Sequence, residues 1–475
     1  MLGLYFLATS LVGRSRSLRR RRFGIANAVI AGSSVVFLAA GSQAYAGVIA
    51  TTAVVLSGLG WVITRAQRPE KRDRHGAVPE LGFALCLTVV FLLYGLYTSA
   101  NPVVGSLDGW LTRFTEHRFS VPGLLVPLGL SVFVCHAVSF VVDVYRQDVV
   151  VHSNPIHGVM YLLGFPFMVA GPIIRYRDIS HHLATRQISM ASFAYGVRRF
   201  TIGLCKVALI AQTLAVPADV AFAANVDNLG LVLAWMGLIC FSFQVYFDLS
   251  GYADMALGIG RMLGFRFPEN FNAPYTADTF HEFWRRWNLS LMTWCDTYLR
   301  LSLRNQLETG GRRTGSVFLL FIIVSLWHGP NWGVVIWGGV HALFVALECT
   351  RWGTTVARFP APARHAYLLV LVVVSWVFFR TGTISEALHY FQALVGFGAT
   401  GVEAAALPLT GMVWTALVIG VLATLPVLPT VSRWTVTVDA LATALQMIVT
   451  TAAMYVWVRV LGQRGQPGQR SKKND

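Results

Sequence analysis

Charge is what this sequence has least of. Of 475 residues only 13% are Asp, Glu, Lys or Arg, and the 22 acidic residues cannot coat a soluble chain of this length. About three soluble domains would be expected from the length alone. With 55% hydrophobic residues and a mean hydropathy of +0.58, the polar surfaces those domains need are missing, and so is the polarity of a disordered chain. Most of the surface must face lipid. There is no Cys-x-x-Cys and no His/Cys cluster at metal-ligand spacing. The six cysteines (Cys86, Cys135, Cys205, Cys240, Cys295, Cys349) lie in or beside apolar stretches, so neither disulfides nor structural zinc is expected. Heptads, solenoid repeats and low-complexity segments are absent, and no inverted repeat is evident, which counts against a secondary transporter.

The formal charge is +16 and the pI about 10.0, a balance that by itself suggests nucleic-acid binding. The cations, however, cluster between apolar runs, which is the mark of cytoplasmic loops in a membrane protein. No nucleic-acid partner is expected; membrane lipids are.

A helix needs roughly 20 apolar residues to cross the hydrocarbon. Phe23–Ser42 and Tyr45–Thr64 form a hairpin broken at Gly41-Ser42-Gln43, with Arg14 to Arg22 before it and Arg65 to Arg74 after it, so both outer ends are assigned to the cytoplasm. Leu81–Tyr97, Val121–Val142, Ile202–Val216 and Leu229–Phe247 follow, then Tyr367–Phe379, Met412–Leu428 and Ala440–Val458. Between Phe265 and Arg313 lies the most polar stretch, expected at or dipping in from the cytoplasmic face. From Gly315 to Glu348 there is no Lys or Arg, only an apolar run interrupted at Trp327-His328-Gly329-Pro330-Asn331. A strict count puts the basic tail outside, so one span is miscounted: Phe391–Phe397 or the Gly315–Glu348 hairpin. Met1–Val12 is apolar but short of a span and lacks a basic segment before it. It reads as a short or interfacial helix rather than a signal peptide, with a true start upstream left open. The expected organisation is a single transmembrane domain over residues 1–464 and a basic disordered tail over 465–475.

An ionisable residue at bilayer depth is expensive, so its default reading is functional. A helix running from Arg313 places His328 roughly 22 Å along its axis, and Gly329-Pro330 then breaks it. Broken backbone at that depth must be enclosed by protein or line a watery cavity. His328 is therefore expected to line a tunnel, the alternative being a core histidine bonded to a neighbouring helix. A second cluster is Phe280-His281-Glu282-Phe283-Trp284-Arg285-Arg286-Trp287-Asn288. On one continuous helix Trp284, Trp287 and Asn288 share a face while Arg285 and Arg286 point elsewhere. That suits either phosphate recognition or an interfacial helix with snorkelling arginines. His281 reads as solvated. The third is Gln244-Val-Tyr-Phe-Asp248-Leu-Ser-Gly-Tyr-Ala-Asp254 at the end of a membrane helix; six residues apart, the two carboxylates read as a structural polar network. Ala170-Gly-Pro-Ile-Ile-Arg-Tyr176 reads as a re-entrant break ending in a cation.

Taken in order, these stretches resemble the membrane-bound O-acyltransferase (MBOAT) family, in its bacterial alginate-O-acetyltransferase-like branch. The matching residues are Val126–Ser131 with Asp143-Val-Tyr-Arg146, then Ala170–Tyr176, Gln244–Tyr252, Arg261–Asn272, Glu282–Trp287 and Trp327-His-Gly329, a motif core over about 81–345. The resemblance implies an all-α polytopic membrane protein, a bundle of about 10–12 transmembrane and re-entrant helices around a central tunnel. It implies an acyltransferase of the cell inner (cytoplasmic) membrane. The donor would be a cytoplasmic acyl-CoA, acetyl-CoA in the first instance, with no permanently bound cofactor and no metal. The acceptor would be a hydroxyl on an extracytoplasmic polysaccharide or a partner protein.

His328 and Asn288 would then be catalytic, and Trp284, Arg285, Arg286, Trp287 and Trp327 would bind substrate. Two departures stand out. The position after Trp-Arg-Arg-Trp, usually histidine in bacterial members, is Asn288, and the segment Tyr298–Arg304 lacks the usual Pro-Leu-Gly-Gly. A polytopic transporter or flippase for a glycan or lipid intermediate, and a non-catalytic scaffold descended from such enzymes, are the competing readings.

Overall fold

The computed structural model describes residues 22–41, 43–67, 77–111, 129–149, 155–168, 171–224, 229–299, 311–329, 331–397 and 408–425. Met1–Val12, Ala440–Val458 and the 465–475 tail lie outside them. The described residues are helical or irregular, with no strand among them. Six helices are long and apolar enough to cross a membrane: Phe23–Gly41, Tyr45–Ala66, Val78–Tyr97, Met190–Ala223, Leu231–Met262 and Ala361–Arg380. Four shorter apolar helices accompany them. The chain is an all-α, multi-pass membrane protein. Its outward faces carry large apolar side chains, such as Leu81, Leu92 and Val36, each at least 65% exposed. A watery surface seldom tolerates so many of these.

The chain divides into two compact units, each drawn from three stretches of sequence. The first comprises Met1–Gly196, Ala256–Asn270 and Asn288–Asn331. Here the helices Arg22–Gly41, Gln43–Ala66, Val78–Leu111 and Leu130–Tyr145 pack in sequence, with the short Ile156–Leu163 helix laid against three of them. Small residues at the seams, Ala26, Ala53 and Cys86, are fully buried. Close approach of this kind is what holds helices together where lipid removes the hydrophobic drive. Polar seams are satisfied internally: Asn27 donates to the Leu183 carbonyl at 2.9 Å and Ser57 to that of Pro155 at 2.7 Å.

The second unit comprises Val197–Met255, Phe271–Trp287 and Trp332–Asp475. Gly203 and Gly251 meet backbone to backbone here. A Cβ on Gly203 would come within 2.5 Å of the Gly251 carbonyl, and one on Gly251 within 2.8 Å of the Gly203 carbonyl. That crossing brings Arg199 and Lys206 onto Asp254, each with a nitrogen 2.7 Å from a carboxylate oxygen. Of the two carboxylates read from sequence as a polar network, Asp248 and Asp254, it is Asp254 that makes these ion pairs. Its helix does not end near Phe247 as expected but runs to Met262. The Ile202–Val216 span likewise starts earlier, within a helical run from Met190 that widens into a π turn at Lys206–Ala211. Phe391–Phe397 is not a span: it overlaps an 11-residue helix, Ile384–Leu394, closed by a Thr383–Glu386 capping box. The Gly315–Glu348 run resolves into two helices, Gly311–His328 and Trp332–Glu348.

Candidate active site

The Gly311–His328 helix ends where the sequence places its break. Gly329 follows with φ +131°, a conformation costly for any other residue, and the next helix begins at Trp332. The last turn is pinned from two sides. The Leu326 carbonyl accepts from the Gly329 N–H at 3.1 Å and from the Tyr94 hydroxyl at 3.3 Å. The Trp327 indole donates to the Ser131 carbonyl at 3.2 Å and stands edge-on to the His328 ring, centroids 4.8 Å apart. Trp327 is half-buried and His328 is exposed. The imidazole is therefore held by its neighbours yet reachable.

The same unit also knots together four of the stretches singled out above. Residues 171–175 are non-helical, and their backbone is met by buried side chains. Ser290 Oγ accepts from the Ile173 N–H at 2.9 Å, His136 Nε2 accepts from the Ile174 N–H at 3.1 Å, and the Tyr161 hydroxyl donates to the Ile174 carbonyl at 2.7 Å. Irregular backbone in a membrane protein requires exactly such internal partners. Ser290 in turn donates to Asn270 Oδ1 at 2.7 Å, tying in the Arg261–Asn272 stretch. The Tyr298 hydroxyl and the Arg177 backbone N–H both donate to the Asp143 carboxylate. Arg175, the cation that closes the break, bonds Asp178 and Thr297.

Asn288 lies in this same unit, but not on the continuous helix expected for it. The Phe280–Trp284 helix stops after five residues, a turn carries the chain through Arg285–Trp287, and Asn288 adopts φ +47°, ψ +54° before the Leu289–Tyr298 helix. Trp284, Trp287 and Asn288 therefore share no helical face. The physical reason is the left-handed backbone at Asn288, a conformation that Asn and His both enter more readily than most residues. Its carbonyl accepts from the Met292 N–H at 3.2 Å, and its side chain makes no cap.

The remaining predicted residues belong to the second unit. Trp284 is 1% exposed and Trp287 4%, both enclosed by aromatic side chains. Both are read from sequence as substrate contacts, and the structure buries their side chains. Arg286 bonds Glu282 and donates to Thr276 Oγ1 at 2.6 Å, while Arg285 is exposed. His281 is not solvated: it is half-buried against Glu348, whose carboxylate also takes the Phe280 and His281 backbone N–H groups. Among the described residues, no group of three or more His, Cys, Asp or Glu gathers as metal ligands.

The sequence reading missed His341. It is fully buried; the Trp284 indole donates to its Nδ1 at 3.2 Å, and its Nε2 lies 3.0 Å from Ser375 Oγ. An indole only donates, so the ring proton sits on Nε2 and goes to Ser375. The rule that singled out His328 applies equally to His341, which also lies in an apolar run without Lys or Arg.

Compared with known proteins, residues 83–392 match the model of the membrane-bound O-acyltransferase family, a stretch that contains every candidate residue above. The chain belongs to the membrane-bound O-acyltransferase family. Among curated MBOAT relatives, it is 37% identical over 314 residues to a probable alginate O-acetylase of Azotobacter vinelandii, covering 66% of this chain and 62% of the relative. It is 30% identical over 328 residues to a peptidoglycan O-acetyltransferase of Helicobacter pylori, covering 61% of each. A teichoic acid D-alanyltransferase of Bacillus subtilis is 25% identical over 318 residues, 63% of this chain and 76% of the relative. The chain thus spans about three fifths of the length of the alginate relatives it matches.

Proposed function

We propose that this MBOAT protein is a membrane O-acyltransferase. It moves an acyl group, acetyl in the first instance, from cytoplasmic acyl-CoA to a hydroxyl on an extracytoplasmic polysaccharide or on a protein that passes the group onward. The observation that carries the reading is a reachable imidazole at a broken helix end, in a chain whose relatives are named for acyl transfer. The inner membrane is the corresponding location, since a CoA thioester is a cytoplasmic donor.

In this reading, neutral His328 takes the proton of the acceptor hydroxyl as its oxygen attacks the thioester carbonyl. The carbon–oxygen bond forms, the tetrahedral intermediate collapses, the carbon–sulfur bond breaks, and the proton passes from the imidazolium to the departing thiolate. Trp327 positions the ring. The Asn288 amide orients a substrate or donates to the oxyanion, a contribution of the kind that fixed donors make to acyl transfer. Arg285, the exposed member of the arginine pair, meets CoA phosphates better than Arg286, whose donors are already engaged with Glu282 and Thr276.

The test supplies radiolabelled acetyl-CoA to membrane vesicles carrying the wild-type protein or His328→Ala and counts O-acetyl groups on the polysaccharide fraction. Loss of label with normal insertion and extraction of the variant supports the reading. Label equal to wild type refutes it.

A further inference from the structure

In the second unit, two apolar helices, Trp332–Glu348 and Ala361–Arg380, are joined by a short surface helix, Arg351–Val356. Helical turns continue past its end: the N–H groups of Ala357, Arg358 and Phe359 are taken by the carbonyls of Gly353, Thr355 and Val356. Arg351 and Arg358 therefore stand two turns apart on nearly one side, and Trp352 and Phe359 do the same on the flank beside them. Val356, 5% exposed, faces the protein. Trp352 is 47% exposed and Phe359 48%, and both arginines are exposed as well.

This surface is built rather than loose. Gly353 lies so close to the Glu348 carbonyl that a Cβ there would collide with backbone. Thr350 caps the helix by accepting the Trp352 N–H at 3.2 Å, and the Trp352 indole donates to the Tyr367 hydroxyl at 3.2 Å. The neighbouring carboxylates are already committed. Glu348 takes the backbone N–H groups of Phe280 and His281, and Asp278 takes the Arg364 guanidinium at 2.6 Å. No Asp or Glu occurs from Cys349 to Ser385, and Arg351 and Arg358 form no ion pair. Two positive charges are left uncompensated beside two exposed aromatic rings.

The opposite end of Ala361–Arg380 fixes which side of the membrane this is. Arg380 pairs with Asp219 at 2.7 Å, and Asp219 lies in Pro217–Asn228, a stretch with no Lys or Arg, as an external segment should be. Twenty helical residues cover roughly 30 Å, the thickness of the hydrocarbon, so the Arg351–Phe359 surface emerges on the cytoplasmic side. Joining two apolar helices there, it stands at headgroup level. Guanidinium forks match phosphate oxygens, and exposed tryptophan and phenylalanine gain from the lipid boundary what a soluble anion could not offer them. We propose that Arg351, Trp352, Arg358 and Phe359 form a docking surface for the headgroups of anionic phospholipids in the cytoplasmic leaflet. It rests on charge and placement and is independent of the transfer chemistry.

The test places the full chain in phosphatidylcholine vesicles carrying a trace of either phosphatidylglycerol or phosphatidylcholine with the same photoreactive acyl chain. Cross-links to the 349–361 segment are then counted by mass spectrometry. Only the headgroup differs between the probes, so wild type should favour the phosphatidylglycerol probe. An arginine near an anionic surface strengthens attraction about fivefold. Arg351→Gln with Arg358→Gln should therefore cut phosphatidylglycerol cross-links at least tenfold and leave phosphatidylcholine cross-links unchanged. Ala357→Glu, which sets a carboxylate at an exposed position beside Arg358, should cut them at least threefold and keeps the test decisive if the double variant fails to fold. Equal labelling of wild type by the two probes, or wild-type labelling of Ala357→Glu or of the folded arginine variant, overturns the proposal.

Discussion

His328 and His341 both lie between Gly315 and Glu348, in an apolar stretch with no Lys or Arg, yet the structure treats them in opposite ways. His341 is sealed in the second unit, one ring nitrogen taken by the Trp284 indole and the other by Ser375, whose hydroxyl passes on to the Val372 carbonyl. His328 ends a helix, stands edge-on to Trp327 and is exposed. Depth in an apolar run marks a histidine as unusual. Burial is what distinguishes the two: His341 is sealed in, and His328, the residue the proposed chemistry needs, is exposed.

Exchanging the two residues breaks or sharpens that comparison most strongly. His328→Ala should lower acyl transfer by about 10²- to 10⁴-fold, the usual contribution of a positioned general base, with the unfolding midpoint in detergent unchanged. His341→Ala should do the reverse. It strands the buried Trp284 indole donor and leaves the Ser375 oxygen without the proton it accepts, at about 1–3 kcal/mol each, so the midpoint falls while the surviving folded protein keeps transfer within a few-fold. If both variants lose transfer equally at equal stability, the distinction between them fails.

The polar networks of the two units give the next contrast. Asp254→Asn leaves Arg199 and Lys206 facing each other without their carboxylate. Because both cations are about a quarter exposed, the loss should sit at the low end of the range for breaking a buried pair, about 3 kcal/mol. Denaturant unfolding in detergent measures it. Ser290→Ala removes the acceptor for the Ile173 N–H and the donor to Asn270, costing about 1–3 kcal/mol and loosening the break at residues 171–175. The smallest structural effect is expected from Asn288→Gly. Glycine enters the same left-handed backbone freely, so stability should shift by less than about 0.5 kcal/mol. A tenfold or larger loss of transfer in that variant assigns the loss to the amide itself.

Much of this architecture is legible in the sequence because lipid imposes a simple demand, long apolar runs with internally satisfied backbone. The hairpin of the first two helices, the break after His328 and the non-helical stretch ending at Arg175 all follow from Gly, Pro and charge placement. What was not legible depends on contacts between distant segments. No local pattern shows that Asn288 would turn left-handed and split the Phe280–Asn288 helix, because hydrophobic periodicity runs through it unbroken. Nor does it show that the Leu231 helix continues past Asp248, since Asp248 and Asp254 read locally as a polar helix end. Only Arg199 and Lys206, some fifty residues earlier, make Asp254 tolerable inside it. His341 was readable by the same rule as His328, but its role depends on Trp284 and Ser375, which only folding brings to it.

The most direct measurement is carbethoxylation of the purified protein with diethyl pyrocarbonate, read site by site by mass spectrometry with and without acetyl-CoA. Rapid labelling of His328, slowed by acetyl-CoA, with His136 and His341 unlabelled until the protein unfolds, is the result predicted. An unlabelled His328 in protein that still transfers acetyl groups would contradict the account.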